Sequence, residues 1–346
     1  MAYTTINKST DYFNTKLYTG NGTTNTAITG VGFQPDLSII KARDMTYDHN
    51  VMDAVRGSTK RVATNLSDAE STQAEMIKSF ASDGFNLGDN GGVNQNTKTY
   101  VAWNWKANGQ GSSNTDGSIN TTYTSVNTTA GFSICKWTGN ATNSTIGHGL
   151  GVVPKMIIIK RLTGGTTQWV VYHVSTGNTQ ACYLNTTSAP TDVIGFFNDT
   201  TPTSSVFTVG TDTAVNGSGN EMIAYCFAEK QGYSKFGSYV GNGNADGTFV
   251  YTGFKPAFVM VKASSASSYD WIILDNKRDT FNVADASLYA NLSNAEATSN
   301  DTDFLSNGFK LKSTAAGNNG SGTTYIYMAF AEAPLVGTNN VPCTAR

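Results

Sequence analysis

The stretch YTGNGTTNTAITGVGFQPDLSIIK at 18–41 has two counterparts, WTGNATNSTIGHGLGVVPKMIIIK at 137–160 and YVGNGNADGTFVYTGFKPAFVMVK at 239–262. In each, an aromatic residue (Tyr18, Trp137, Tyr239) stands two positions before a Gly-Asn pair that begins at Gly20, Gly139 or Gly241. A proline follows fifteen residues after that glycine (Pro35, Pro154, Pro256), and a lysine six residues after the proline (Lys41, Lys160, Lys262). Three matched spacings make this chain one unit written three times, and a repeat constrains architecture before any single motif does.

The units read as β-structure. After each proline comes a short apolar run (37–40, 156–159, 257–261), the pattern of a strand in the middle of a sheet. About a dozen residues on, a second run follows at 49–55, 169–173 and 271–274. Each copy closes on an aromatic-rich strand at 100–105, 222–227 or 325–330, preceded by Asn/Gly turn text. Copies one and three share Asp-x-x-Arg (Asp53 to Arg56, Asp275 to Arg278) and Asn-Leu-Ser-x-Ala-Glu (from Asn65 and from Asn291), both absent from the middle copy. The one helix candidate is 67–79, where Ser67 and Glu70 have capping-box spacing.

Composition agrees. Charged residues make up 14% of the 346, against a usual ~25%, and there are 35 Gly but only 7 Pro. The predicted fold class is all-β: three tandem related β-sandwich modules, jelly-roll or concanavalin-like, of about 100 residues each. Module 1 with an N-terminal arm covers 1–107, and 108–130 is a linker, flexible over 108–116, with an extended strand within 117–130. Module 2 covers 131–232, module 3 covers 233–333, and 334–346 is an extended C-terminal arm.

Net charge is -2 with no basic stripe, which argues against a nucleic-acid partner. The apolar runs are too short for membrane insertion, and the first residues lack the regions of a signal peptide. The four cysteines, Cys135, Cys182, Cys226 and Cys343, include no C-x-x-C pair and read as free thiols of a chain folded in a reducing cytoplasm.

Groups that could carry chemistry have structural readings beside them. The Gly-Asn pairs lead into strands rather than helices, so they read as turns with positive φ and not as phosphate cradles. The recurring lysines read as strand-end side chains that snorkel or pair with a carboxylate. Asp53 with Arg56, and Asp275 with Arg278, read as local ion pairs, with an inter-module contact as the alternative. His49, His148 and His173 have no metal-ligand spacing, and His148 sits in an exposed-looking glycine loop. Asp301 and Asp303 could touch a calcium ion, but no full loop of ligands follows them. Carboxylates are scarce in the strands that would have to hold a hydrolytic pair. No catalytic, cofactor-binding or metal residue is therefore assigned, no cofactor is expected, and the expected answer to enzymatic activity is no. The Asn, Thr, Ser, Tyr and Trp that remain suit glycans and wet protein interfaces alike.

The texts Gly131-Phe-Ser-Ile, Trp137-Thr-Gly-Asn140, Gly147-His-Gly-Leu-Gly-Val-Val-Pro154 and Tyr325-Ile-Tyr-Met-Ala-Phe-Ala-Glu332 resemble a repeat family in structural proteins of tailed phages, frequent in marine phages including those of cyanobacteria. The resemblance covers nearly the whole chain. It implies a virion component assembled in the host bacterial cytoplasm, with other virion proteins as partners and a homo-oligomer, such as a trimer, as its form. The chain has no fibrous repeat, so a compact body is expected. The first expectation is a non-enzymatic protein on the particle exterior, with capsid decoration foremost. The alternative is a tail-fibre or tail-tip adhesin for a host-surface glycan, and a depolymerase ranks third.

Overall fold

The runs that follow the three prolines become central strands, Leu37–Ala42, Met156–Arg161 and Phe254–Ala263, each paired on both sides. The computed structural model describes residues 2–343 and is all-β, built of antiparallel sheets with a few one-turn helices. Pro256 differs from the reading that the strand comes after the proline. It lies inside its strand, where the register with Thr324–Pro334 shifts, a place that tolerates a residue without N–H.

Three main sheets share one strand order. In the first, Phe13–Thr19 lies beside the closing strand Thr99–Trp105, then Leu37–Ala42, Asn50–Asp53 and Gly57–Ala63. In the second the same positions are Phe132–Thr138, Glu221–Phe227, Met156–Arg161, Val170–His173 and Gln180–Tyr183. In the third they are Ser234–Val240, Thr324–Pro334, Phe254–Ala263, Ile272–Asp275 and Ala284–Tyr289. A smaller sheet accompanies each: Thr26–Thr29, Gly84–Leu87 and Ile77–Ala81 in the first, Ser144–Gly147 and Val206–Val209 in the second. In the third, Phe249–Tyr251, Gly308–Leu311 and the long Ala297–Leu305 continue directly from the main sheet.

The two-residue period of a strand sorts side chains between two cores. Tyr100 and Ala102 pack outward under the first small sheet, as Met222 and Ala224 do in the second and Tyr325 and Tyr327 in the third. The alternate residues point inward: Val101, Trp103 and Trp105, then Ile223, Tyr225 and Phe227, then Ile326, Met328 and Phe330. All nine join one core common to the three sheets. At its centre Trp105, Phe227 and Phe330 form a triangle, with ring centroids 6.2, 5.7 and 6.1 Å apart. An apolar cavity of about 50 Å³ lies in this core, lined among others by His49, Trp103, Trp169, Tyr225, Met260 and Met328.

Three segments differ from their reading in the sequence. Residues 108–130 are tied down: the N–H groups of Ala107 and Gly109 donate to the buried Asp36 carboxylate at 2.6 and 3.0 Å, and Asn108 donates to Ser125 Oγ at 2.8 Å. The strand expected within 117–130 is present as Tyr123–Asn127, and it adds an edge to the second sheet. Residues 67–79 form no helix. Glu70 N–H donates to Leu162 O at 2.9 Å in the next sheet, its carboxylate lies 3.3 Å from Arg56, and Ser71–Thr72 and Ile77–Ala81 are strands. Pairing with another sheet outweighs the local capping signal. The C-terminal stretch turns back on itself through a Val336–Pro342 bridge and meets the N-terminal segment, with Asn7 and Thr338 exchanging bonds of 2.6 and 2.7 Å. Residues 344–346 of the expected arm lie outside the described residues.

Because the inward faces share one core, unfolding is expected as a single transition. Tryptophan fluorescence and far-UV circular dichroism recorded against urea should coincide. Separated midpoints would show that the sheets unfold independently.

Candidate functional site

The residues marked by the repeat gather in two places, the outer turns and the seams between sheets. At the turns, the three Gly-Asn pairs meet a second asparagine from the one-turn helix before the closing strand. Asn94, Asn216 and Asn319 are buried, and their side-chain oxygens accept the N–H of Asn21, Asn140 and Asn242 at 2.9, 3.0 and 3.0 Å. Their amide groups donate to Gly88 O, Gly210 O and Ser313 O. The sequence reading placed positive φ on the Gly-Asn pair, but it falls one residue later, at Gly22, Ala141 and Gly243. Glycine is required at Gly20, Gly139 and Gly241 for close approach: a Cβ there would lie 2.3–2.4 Å from a backbone oxygen of the facing turn. The turns hold themselves, and each asparagine is fully used.

The seams run head to tail. Thr167 N–H of the second sheet donates to Ser67 O of the first at 2.8 Å, Ser268 of the third to Thr187 O of the second at 2.9 Å, and Tyr47 of the first to Ser293 O of the third at 3.0 Å. The acceptor loops begin with equivalent asparagines. Asn65, Asn185 and Asn291 accept the N–H of His49, Trp169 and Trp271 at 3.0, 3.1 and 2.8 Å. Asn185 is the middle-copy counterpart that the sequence comparison missed, because Asn-Thr-Thr replaces Asn-Leu-Ser around it.

The recurring lysines sit at these seams. All three are buried, so they do not snorkel to water, and their partners are carbonyls rather than carboxylates. Lys160 Nζ donates to Ser67 O at 2.8 Å and Thr167 O at 2.6 Å, and Lys262 Nζ to Thr187 O at 3.0 Å and Tyr269 O at 2.6 Å. Both ammonium groups bridge two sheets. Lys41 Nζ stays within its own loop, on Ala42 O at 2.7 Å, while Arg43 holds that seam with two bonds to Glu296 at 2.7 and 2.9 Å. Burial lowers all three lysines to about 8.

Further inside, three sockets close the ring. Asp53 receives Arg56 Nε at 2.5 Å and also the Tyr225 hydroxyl of the second sheet at 2.7 Å. Asp275 receives Arg278 Nε at 2.6 Å and also Trp103 Nε1 of the first sheet at 3.0 Å. The local ion pair and the inter-sheet contact are thus one arrangement. In the remaining seam the residue matching Tyr225 and Trp103 is Met328, which has no hydrogen to donate. There the socket holds His173 in place of an acid. Ser175 N–H donates to its Nδ1 at 3.1 Å, so Nε2 carries the proton and donates to Tyr327 O of the third sheet at 3.1 Å. Burial lowers His173 to about 4, which keeps the ring neutral.

The other candidates are also absorbed. His148 is buried rather than exposed, taking Leu150 N–H on Nδ1 at 3.1 Å and facing Thr203 O with Nε2 at 3.2 Å. His49 is buried and stacks on Trp103 at 6.0 Å, and burial holds its pKa well below the usual imidazole value. Cys135, Cys182 and Cys226 are buried free thiols and Cys343 is an exposed one. Among the described residues no cluster of three or more His, Cys, Asp or Glu is placed to hold a metal ion, and no helix is long and apolar enough to cross a membrane.

Two measurements test the seams. Tyr225→Phe should cost about 1.5–3 kcal/mol in urea unfolding, because it strips a hydrogen bond from a buried carboxylate. A change under about 0.5 kcal/mol would show that the hydroxyl contributes nothing. Between pH 8 and about 10.5 the folded lysines are neutral while unfolded lysines still hold a proton, so stability rises with pH across that window and the burial penalty is fully present below it. Wild type should therefore gain stability relative to Lys160→Met and Lys262→Met as pH rises through this range, and parallel curves would contradict the assignment.

No curated protein and no solved structure matches the chain. A family model described as a domain of unknown function (DUF7483) matches residues 8–334. That match takes in all three main sheets and every seam, and the chain belongs to this family.

Proposed function

We propose that the protein is a non-enzymatic structural component of a tailed-phage particle, carried on the particle exterior, with capsid decoration as the first assignment. The observation that carries this reading is ring closure within one chain. Tyr225 bonds Asp53, Trp103 bonds Asp275 and His173 bonds Tyr327 O, so each sheet grips the next and the third grips the first. One copy thereby presents three similar sides, a shape suited to a three-fold site on a shell. Lys160, Lys262, Asp53 and Asp275, buried groups with chemical potential, are engaged in holding the seams, which fits a load-carrying part. The resemblance to tailed-phage structural proteins points the same way, with other virion proteins as partners and assembly in the host cytoplasm.

A second reading, a tail-fibre or tail-tip adhesin for host glycan, draws on the exposed rings of Phe249, Tyr251 and Phe281. Immunogold labelling of intact particles with antibody to the purified protein separates the two. Gold over the head is the expected result. Gold confined to tail or fibres would move the assignment to the adhesin, and absence of label from the particle would overturn both.

A further inference from the structure

Each small sheet ends in an edge strand at the same place: Thr26–Thr29, Ser144–Gly147 and Phe249–Tyr251. In each, one apolar residue (Ile28, Ile146, Val250) lies opposite a phenylalanine (Phe85, Phe207, Phe309) on the neighbouring strand. In an antiparallel pair, alternate residues turn their N–H and C=O away from the partner. On an edge strand those groups face outward and are a template for another strand.

In the second sheet this template is already used. Ile119 forms a parallel bridge with Ile146, and its N–H donates to Thr145 O at 3.1 Å. Ser118 N–H donates to Thr145 Oγ1 at 2.8 Å, and Thr145 N–H to Ser118 Oγ at 2.9 Å. Gly117 allows the approach, since a Cβ there would lie 2.3 Å from Thr145 O. The covering segment is the chain's own connector, uncharged over 117–121.

The matching edge of the third sheet is built the same way. Leu311 N–H donates to Thr248 O at 3.1 Å and Thr252 N–H to Asn307 O at 3.0 Å, so the bonds toward Gly308–Leu311 fall at 248, 250 and 252. The backbone groups of Phe249 and Tyr251 therefore point outward. Their side chains are 43% and 54% exposed, on a sheet face that also carries Leu305, Asp303 and Lys310, the last paired with Asp246 at 2.6 Å. Asn282 bonds the Phe304 backbone at 2.9 and 3.1 Å, which sets Phe281, 84% exposed, beside the same small sheet. The first sheet has Ala27 and Thr29 where the third has Phe249 and Tyr251. A strand laid on the third edge gains backbone bonds and aromatic contact together, the combination that gives strand addition both affinity and selectivity.

We propose that Phe249–Tyr251 binds an extended, uncharged strand of a different protein chain, in parallel, as residues 117–119 bind Ser144–Gly147 within this chain. A second copy is not the occupant, because the segment of this chemistry is already consumed in each copy. The edge geometry is independent of where the chain resides.

A fluorescein-labelled peptide copying the uncharged residues 117–125, titrated into the full chain and followed by anisotropy, tests this. Saturable binding is expected. Phe249→Pro should weaken it at least tenfold, and Ala27→Pro on the first sheet should leave it within twofold. Both prolines replace outward-facing N–H groups and spare the existing ladder, and near-UV circular dichroism verifies the fold. Should Phe249→Pro fail that control, the double variant Phe249→Ala with Tyr251→Ala replaces it, with at least a threefold loss expected. Absence of saturable binding at millimolar peptide, or equal losses from both prolines, would overturn the proposal. Binding that survives Phe249→Pro but falls with Tyr251→Ala would place the contact on the ring faces, as a sugar uses them, and would also overturn it. So would dimerisation of the free chain that Phe249→Pro abolishes, which would make a second copy the occupant.

Discussion

Everything in this protein depends on removing from water the inward faces of three sheets at once. A strand that carries Trp103 and Trp105 on one face and Tyr100 on the other needs two partners. The small sheet supplies one, and only the two other main sheets supply the second. Burying each large apolar side chain contributes about 1.5–3 kcal/mol, and the triangle of Trp105, Phe227 and Phe330 is completed only when all three sheets are present. Hydrophobic burial is non-directional and would accept several registers. The polar seams remove that freedom. Asp53 and Asp275 keep Arg56 and Arg278 within their own sheets, but a slipped neighbour would strip them of the Tyr225 hydroxyl and the Trp103 indole N–H and leave buried acceptor sites unfilled.

The strands were legible because their signal is local. Apolar runs after a proline, aromatic closing strands and Asn/Gly turns act over a few residues, and the structure has strands at each of those places. Facing was not legible. Alternation shows that Trp103 and Tyr100 lie on opposite faces, but nothing local says which face meets a small sheet and which meets two other sheets. The same limit explains the segments read differently. Ser67 and Glu70 have helix-cap spacing, yet their backbone groups are claimed by Thr167 and Leu162, about a hundred residues away. Residues 108–116 have linker composition, yet their path is fixed by the buried Asp36.

The seam residues were half visible. Recurrence picked out the lysines and the Asp-x-x-Arg pairs, but an ion pair and an inter-sheet socket look identical in sequence. Nothing in the text near His173 reveals that it answers Met328, because the two come together only through packing of different sheets. Asn185 could have been found from the strand before it, since it stands 16 residues after Trp169 as Asn65 stands 16 after His49, rather than from the Leu-Ser that differs.

The covalent linking of the three sheets carries a consequence for how such a ring can change. In a ring of three identical chains, every substitution appears three times, so a seam must improve or fail in triplicate. Here Tyr225 meets an acid, Trp103 meets an acid, and Met328 leaves a histidine to satisfy itself on a carbonyl. Likewise the edge strands present alanine and threonine on one side, the chain's own connector on another, and phenylalanine with tyrosine on the last. A single polypeptide keeps the economy of a repeated plan while freeing each side to specialise, so one flank can become a contact surface without the other two becoming sticky as well.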